Sequence, residues 1–92
     1  MGFACSGNLG DRFAVFEPVH GSAPKYAGLY KVNPMAMLLA VKMMLDLLQE
    51  KEKAAALESA IAAVIAEGRV RTYDMGGGRS TLEMARAVVQ KI

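Results

Sequence analysis

The stretch that decides the fold reads Phe16-Glu17-Pro18-Val19-His20-Gly21-Ser22-Ala23-Pro24-Lys25-Tyr26-Ala27-Gly28 and closes with Asn33-Pro34. Residues 13–16, which lead into it, are rich in aromatic and β-branched side chains and favour an extended strand. Pro18 lacks the N–H that a sheet needs, so the strand ends or lies at an edge there. Asn33 is a good helix N-cap, and Pro34 suits the first helical position. The stretch therefore predicts a loop between a strand and a helix, where open α/β sheets bind ligands.

On both sides of this loop the chain predicts an α/β fold with two or three short strands. Residues 2–10 favour a short strand followed by a loop. The segments 29–32 and 69–75 are expected to be extended. Glycines at 76–78 predict a further loop.

Three helices are predicted. The first covers about residues 34–49 and has almost no polar face, so we expect it to be buried on most sides. After a polar join at 50–53, a second helix runs to about Glu67 and forms an antiparallel hairpin with the first. Ser80 with Glu83 forms a capping box, which predicts the last helix. Its expected buried face consists of Leu82, Ala85, Val88, Val89 and Ile92.

The composition is that of one small folding domain. Of 92 residues, 53% are hydrophobic, and the net charge of +2 is too small and too scattered for a nucleic-acid surface. Cys5 is the only cysteine, which excludes an internal disulfide and suits a reducing compartment. The apolar stretch 34–48 contains Lys42 and Asp46 and is shorter than the ~20 apolar residues of a membrane span. With no signal peptide in view, we expect a soluble, cytoplasmic chain without membrane or nucleic-acid partners.

The central loop carries residue types that suit an adenine ring. Such a ring needs flat apolar contact on its faces and hydrogen bonds at its edge. Gly21 lets the backbone approach closely, and the N–H groups of Ser22 and Ala23 are donors. His20 can stack on a purine or hydrogen-bond to it, and Asn33 can offer its amide to the adenine edge.

Each of these residues also has a simpler interpretation. Taken alone, His20 is interpretable as a turn histidine satisfied by its neighbours, and Asn33 as a helix cap. Lys25 alone is interpretable as a solvated loop lysine, and Glu17 as a surface carboxylate. The residues become a candidate site only as a set.

Three segments together resemble one enzyme family. Residues 17–24, with Ala27-Gly28 and Asn33-Pro34, resemble the adenine-binding loop of the β-decarboxylating dehydrogenases, which act on isocitrate, 3-isopropylmalate, homoisocitrate and tartrate. Residues 6–11 match the family's preceding segment, and residues 71–77 match a loop near its C-terminus. The resemblance covers essentially residues 2–92. It implies that residues 1–92 are the C-terminal part of the family's larger, cofactor-binding domain, as a fragment, a split-gene product or a half that pairs with another chain.

The resemblance also assigns roles to individual residues. It gives the adenine contacts to His20, Gly21, Ser22, Ala23 and Asn33, and it places Glu17 near the nicotinamide. Lys25 and Tyr26 stand where NAD-using relatives commonly have Asp and Ile and where NADP-using relatives have Lys and Tyr. Tyr73 matches a tyrosine that helps to hold the 2′-phosphate, although only glycines stand where an arginine follows it in NADP-using relatives. The resemblance implies NADP or NAD, with NADP slightly favoured.

The family's catalytic groups lie outside this sequence. Its substrate-binding arginines, its tyrosine–lysine acid–base groups and its Mg²⁺ or Mn²⁺ aspartates come from earlier segments. Asp11 and Asp74 are too isolated to predict a metal site, and no nucleophile–base pair is present. The resemblance implies an adenine-binding segment of an oxidoreductase that oxidatively decarboxylates a 2-hydroxy dicarboxylate such as isocitrate or 3-isopropylmalate. We expect this chain to be inactive alone.

Two other functions stay open at this point. One is a non-catalytic nucleotide-binding or regulatory module that assembles with a partner chain, and the other is a structural remnant. An unpaired strand edge and an apolar first helix both invite association. We therefore expect a homo-oligomer, or a complex with the N-terminal half of the enzyme, in addition to a dinucleotide ligand.

Overall fold

The computed structural model describes residues 2–92 as a small sheet packed against the first of three helices. The strands are β1 (Cys5–Leu9) and β2 (Ala14–Pro18), and the helices are α1 (Met35–Leu47), α2 (Lys51–Glu67) and α3 (Thr81–Lys91). Single 3₁₀ turns occur at Pro24–Tyr26 and Tyr73–Met75. The expected α/β arrangement with short strands and three helices is confirmed.

The two strands form an antiparallel hairpin. Cys5 pairs with Pro18, and Leu9 pairs with Ala14. The Gly10 N–H donates to the Phe13 carbonyl at 2.8 Å and closes the turn. Pro18 is the last residue of β2, as its missing N–H requires. The hairpin therefore ends where the central loop begins.

The helices α1 and α2 run antiparallel, as predicted. Asp46 pairs with Lys51 at 3.6 Å, and Lys42 pairs with Glu58 at 3.5 Å. Earlier residues of α1 thus face later residues of α2. Gly68, at φ 66°, ends α2 in the left-handed conformation that a side chain would disfavour.

The core lies along α2, between α1 and α3. Its buried side chains come from all three helices and include Met35, Leu57, Ile61, Val64, Met84 and Val88. Phe3 and Val70 pack against it from the loops. None of the helices within residues 2–92 combines the length and apolar character that crossing a bilayer requires.

Two segments expected to be extended are turns instead. Tyr30 has a φ of 54°, which breaks any strand over 29–32. In the segment 69–75, the Thr72 hydroxyl donates to Asp74 Oδ1 at 2.5 Å. Because short polar side chains that bond nearby groups favour turns over sheet ladders, this segment ends in a 3₁₀ turn.

The first helix is less covered than its composition predicts. It begins at Met35, one residue later than expected, and ends at Leu47 before Gln49 adopts a φ of 64°. Its fully buried residues are Met35, Ala36 and Ala40. Met37 and Leu47 are about half exposed. The expectation of burial on most sides is wrong because only the hairpin and α2 cover α1 within the described residues. The polar join is also shorter than predicted, since α2 begins at Lys51.

The last helix buries Val88 as predicted, but Met84 is buried beside it and three of the five predicted residues are exposed. Met84 and Val88 are 0% and 1% exposed, whereas Leu82, Val89 and Ile92 are 45%, 68% and 67% exposed. The helix carries two apolar stripes, and the pattern alone gave no reason to prefer the one through Met84. The stripe with Leu82, Val89 and Ile92 has no cover within residues 2–92.

The adjacent valines of α3 give a matched test of its orientation. Val88→Ala should lower the free energy of unfolding by about 2 kcal/mol, because it empties a buried site. Val89→Ala, the same change at an exposed site, should alter it by less than about 0.5 kcal/mol. Urea unfolding followed by circular dichroism measures both. Equal losses in the two variants would show that the helix is rotated from the orientation described.

The capping box predicts a pH dependence at the start of α3. The Ser80 N–H donates to Glu83 and, with the Arg79 guanidinium, holds the pKa of Glu83 below its ordinary value. The cap therefore adds stability at pH values above the ordinary glutamate pKa of ~4.3, and this stability is lost as the pH falls through the lowered pKa. Glu83→Gln should flatten this part of the stability profile between about pH 5 and 3, measured as melting temperature. A profile identical to that of the original chain would contradict the capping role.

Candidate functional site

The central loop lines a cavity of about 430 Å³. Four separate parts of the chain contribute to it, namely Gly2, residues 20–23 with Tyr26, residues 31–33 and residues 73–74. The volume lies within the ~300–1,000 Å³ range of small-molecule pockets. Seven of the nine predicted site residues line it, and these are His20, Gly21, Ser22, Ala23, Tyr26, Asn33 and Tyr73.

The other two predicted residues lie outside the lining. Glu17 is in β2, where it pairs with Ser6 of β1. The Lys25 ammonium lies over the Tyr26 ring, 5.6 Å from its centroid. Sequence reasoning missed four other lining residues as components of the pocket, namely Gly2, Lys31, Val32 and Asp74. A turn at Tyr30 brings Lys31 to the cavity, and nothing in the sequence signals a positive φ at a tyrosine.

The loop backbone is held in an uncommon conformation. Ala23 has a φ of 46° and Tyr30 a φ of 54°, although neither is glycine. Each such residue costs about 1–2 kcal/mol. The Tyr26 N–H donates to the Ala23 carbonyl at 2.9 Å and stabilises the first turn. Strained positions of this kind concentrate at ligand sites.

The start of the turn leaves polar groups facing outward. Within residues 2–92, the N–H groups of Ser22 and Ala23 donate to no acceptor of the chain. His20 is exposed, and its Nδ1 lies 2.8 Å from the Gly21 carbonyl oxygen. A proton on Nδ1 makes this a hydrogen bond and leaves Nε2 as an acceptor. The turn thus offers both donors and an acceptor to a ligand.

Asn33 joins this loop to the rest of the chain. Its Oδ1 accepts the N–H of Met35 at 2.9 Å and so satisfies the first N–H of α1, although Pro34 occupies the N-cap position predicted for Asn33. Its Nδ2 donates to Asp74 Oδ2 at 3.1 Å. Asn33 is buried at 7% exposure, so its bond to Met35 is made away from water, whereas its bond to the exposed Asp74 is only partly buried. One N–H of the amide is left for a ligand.

Asp74 completes the connection. Its second oxygen accepts from Thr72, which is fully buried. A Cβ at Gly2 would lie 2.6 Å from Asp74 Oδ2 and 2.7 Å from the Asn33 Cβ, so a glycine packs closely over this pair. The turn at 73–75 is therefore fixed to the N-terminus of α1.

This connection places two tyrosines together at the cavity. The rings of Tyr26 and Tyr73 have centroids 6.3 Å apart and an interplanar angle of 46°. Tyr73 is 69% exposed, so its face is open to a ligand. Aromatic faces, backbone donors and a histidine acceptor are the groups that bind a purine. No cluster of three or more His, Cys, Asp or Glu side chains within residues 2–92 is arranged to hold a metal ion.

Removing the Asp74 carboxylate tests whether it holds the turn at 73–75 against the start of α1. Asp74→Ala leaves the Asn33 amide and the buried Thr72 hydroxyl without their acceptor, so we expect a loss of about 1–3 kcal/mol in unfolding free energy. Asp11→Ala, at an exposed turn, is the matched control and should change it by less than about 0.5 kcal/mol. Urea unfolding measures both variants. An Asp74→Ala variant as stable as the control would mean that the two loops are held by other contacts.

Known proteins share this chain's sequence and fold. A model of the family described as isocitrate/isopropylmalate dehydrogenase matches residues 1–88. The isocitrate/homoisocitrate dehydrogenase of Thermus thermophilus is 50% identical over 92 residues, covering 100% of this chain and 27% of the relative. The isocitrate dehydrogenase [NADP] of the same organism is 46% identical over 95 residues, covering 100% of this chain and 19% of the relative.

A solved structure shows that the fold is shared as well as the sequence. The crystal structure of isocitrate dehydrogenase from Methylococcus capsulatus matches with a TM-score of 0.89 at 39% identity, covering 95% of this chain and 26% of that one. The chain thus spans 19% to 27% of the length of these proteins. Because the family match covers nearly all of the sequence and the fold agrees with it, the chain belongs to the isocitrate/isopropylmalate dehydrogenase family.

Proposed function

We propose that this chain binds the adenosine half of NAD or NADP. It acts as the C-terminal, cofactor-binding part of the larger domain of an enzyme that oxidatively decarboxylates a 2-hydroxy dicarboxylate such as isocitrate or 3-isopropylmalate. The observation that carries the proposal is the cavity, which gathers seven predicted residues from separate segments of the chain.

Each wall of the cavity has a role in this proposal. The open N–H groups of Ser22 and Ala23 and the free N–H of Asn33 donate to the adenine edge. His20 Nε2 accepts from the adenine amino group. The rings of Tyr26 and Tyr73 enclose the ribose side. Because the donors and the acceptor are held by turns and by the cap of α1, little ordering cost remains for binding.

The cofactor preference follows from the charge and hydroxyl groups beside the cavity. Lys25 and Tyr26 replace the acidic and aliphatic pair expected for NAD, so the proposal favours NADP. Relatives named for NADP and for NAD are similarly identical to this chain, at 46% and 48%, so the preference rests on Lys25 and Tyr26. When bound, the nicotinamide supplies the hydride acceptor. Mg²⁺ or Mn²⁺ would be held by other segments of the enzyme.

Exposed apolar surface supports a partner for this chain. Leu82, Val89 and Ile92 on α3 and Met37 and Leu47 on α1 are each at least 45% exposed. Several large apolar side chains exposed on two helices are consistent with an interface. We propose that the remaining part of the enzyme, or a second copy, covers it in an assembly in the cytoplasm.

Melting temperature tests the nucleotide site. A ligand that binds only the folded chain at 100 times its Kd adds about 2.7 kcal/mol of stability. We therefore expect 5′-AMP, NAD and NADP to raise the melting temperature by several degrees, as measured by circular dichroism. His20→Ala should reduce the 5′-AMP shift. Val19→Ala, its neighbour outside the cavity lining, should leave that shift unchanged.

Two outcomes separate the alternatives. No shift with any of the three nucleotides would overturn the proposed site. A shift without dehydrogenase activity in the complete assembly would favour a non-catalytic nucleotide-binding module.

A further inference from the structure

One wall of the cavity, formed by residues 30–32, is held by the first residue of α3. The Thr81 N–H donates to the Tyr30 carbonyl at 2.7 Å, and the Thr81 hydroxyl donates to the Val32 carbonyl at 2.5 Å. Among the residues that the structure describes, the main chain from Tyr30 to Val32 makes no other hydrogen bond. The attachment of this wall to the rest of the fold through main-chain hydrogen bonds therefore depends on Thr81.

The wall does not favour its observed conformation by itself. Tyr30 has a φ of 54°, in the left-handed region that a tyrosine side chain disfavours. The chain enters the wall through Gly28, at φ 76°, and a glycine leaves the backbone free to turn in other directions. Without the two hydrogen bonds from Thr81, residues 30–32 would therefore relax to other conformations.

Thr81 can hold the wall because α3 is itself fixed in the fold. The capping box of Ser80 and Glu83 orders the first turn of the helix. One and two turns after Thr81, Met84 and Val88 are 0% and 1% exposed in the core. The two donors of Thr81 thus have a fixed position, and the loop is placed against them.

We infer that Thr81 is a positioning residue for the nucleotide site. This inference rests on the proposed function and adds that the start of α3 sets the affinity, although Thr81 is not part of the cavity lining. A ligand binds only those molecules whose wall has the competent conformation, and its apparent affinity falls in proportion to their fraction. Because the bonds of Thr81 raise that fraction, their loss should weaken binding without removing any side chain of the lining.

Thr81→Pro tests this role because it removes both hydrogen bonds and is compatible with the helix. Proline is tolerated at the first helical position, and Ser80 has the extended conformation, at ψ 165°, that a following proline requires. In calorimetric titration, 5′-AMP should bind this variant at least about tenfold more weakly, since two hydrogen bonds are lost. Thr81→Val keeps the N–H and should lose about threefold, and Thr81→Ser keeps both donors and should stay within about twofold.

Val88→Ala is the matched control on the same helix. It empties a buried site and so lowers the stability of the fold, but it changes no group at the wall. At a temperature where circular dichroism shows the variant to be folded, its affinity for 5′-AMP should stay within about twofold of the original, because the two sites are independent.

Hydrogen exchange gives a readout that a purely structural role would not move. Coupling between sites is reciprocal, so a nucleotide that binds better when the wall is held must strengthen the bonds that hold it. Saturating 5′-AMP should therefore slow the exchange of the Thr81 amide more than that of the Glu83 amide. The Glu83 amide lies in the same turn but donates to Ser80 and not to the wall.

The outcomes separate this inference from the proposed function. If 5′-AMP does not bind the original chain, the nucleotide site and this inference are both overturned. If it binds the original chain and the folded Thr81→Pro variant equally well, the site stands and the positioning role is overturned. Equal slowing of the two amides would contradict the role as well, and this measurement decides the question if Thr81→Pro does not fold.

Discussion

The buried amide of Asn33 holds the structure of the site together. Its oxygen satisfies a free N–H at the start of α1, and its nitrogen binds the carboxylate of Asp74, 41 residues later. Two loops that are distant in the sequence thereby share one side chain. Without this amide, the hydrogen bonds that join the N-terminus of α1 to the turn carrying Tyr73 would be lost. The spacing of the two tyrosine rings depends on it.

Besides the hydrogen bonds of Asn33, the central loop contains two residues with strained backbone conformations. Ala23 and Tyr30 both adopt left-handed backbone conformations that side chains disfavour. The strain is compensated by hydrogen bonds at each place, to Tyr26 in the first case and to Thr81 in the second. Each strained turn precedes a residue of the cavity wall. The conformational cost is therefore met during folding and not during binding.

Much of this arrangement could be predicted from residue types with strong local preferences. Asn33 next to Pro34 indicated a helix start, Ser80 with Glu83 indicated a capping box, and Gly68 indicated a helix end. The capping box and the helix end are confirmed, because capping depends on side chains within a few residues of one another. The Asn33 side chain binds the first N–H of α1, but the helix starts one residue later than predicted, with Pro34 at the N-cap position. The grouping of the loop residues around one cavity was also expected, although their role as a cofactor site stays a prediction.

The features that could not be predicted depend on tertiary contacts. The buried face of α3 was predicted correctly at Val88 but wrongly at Leu82, Val89 and Ile92, because two apolar stripes fit the helical period and only tertiary packing selects the one through Met84. The turn at 73–75 depends on the pairing of Thr72 and Asp74. Lys31 reaches the cavity because Tyr30 adopts a positive φ, which residue preferences argue against.

Thr81 has a consequence for how the chain tolerates change at its C-terminal end. The first N–H groups of a helix have no partner inside the helix, and here one of them holds the carbonyl beside Lys31. The orientation of α3 is thereby transmitted to this loop through the N–H and the hydroxyl of Thr81. Shortening or unwinding this helix would therefore release the backbone of residues 30–32 while leaving every side chain of the cavity lining in the sequence.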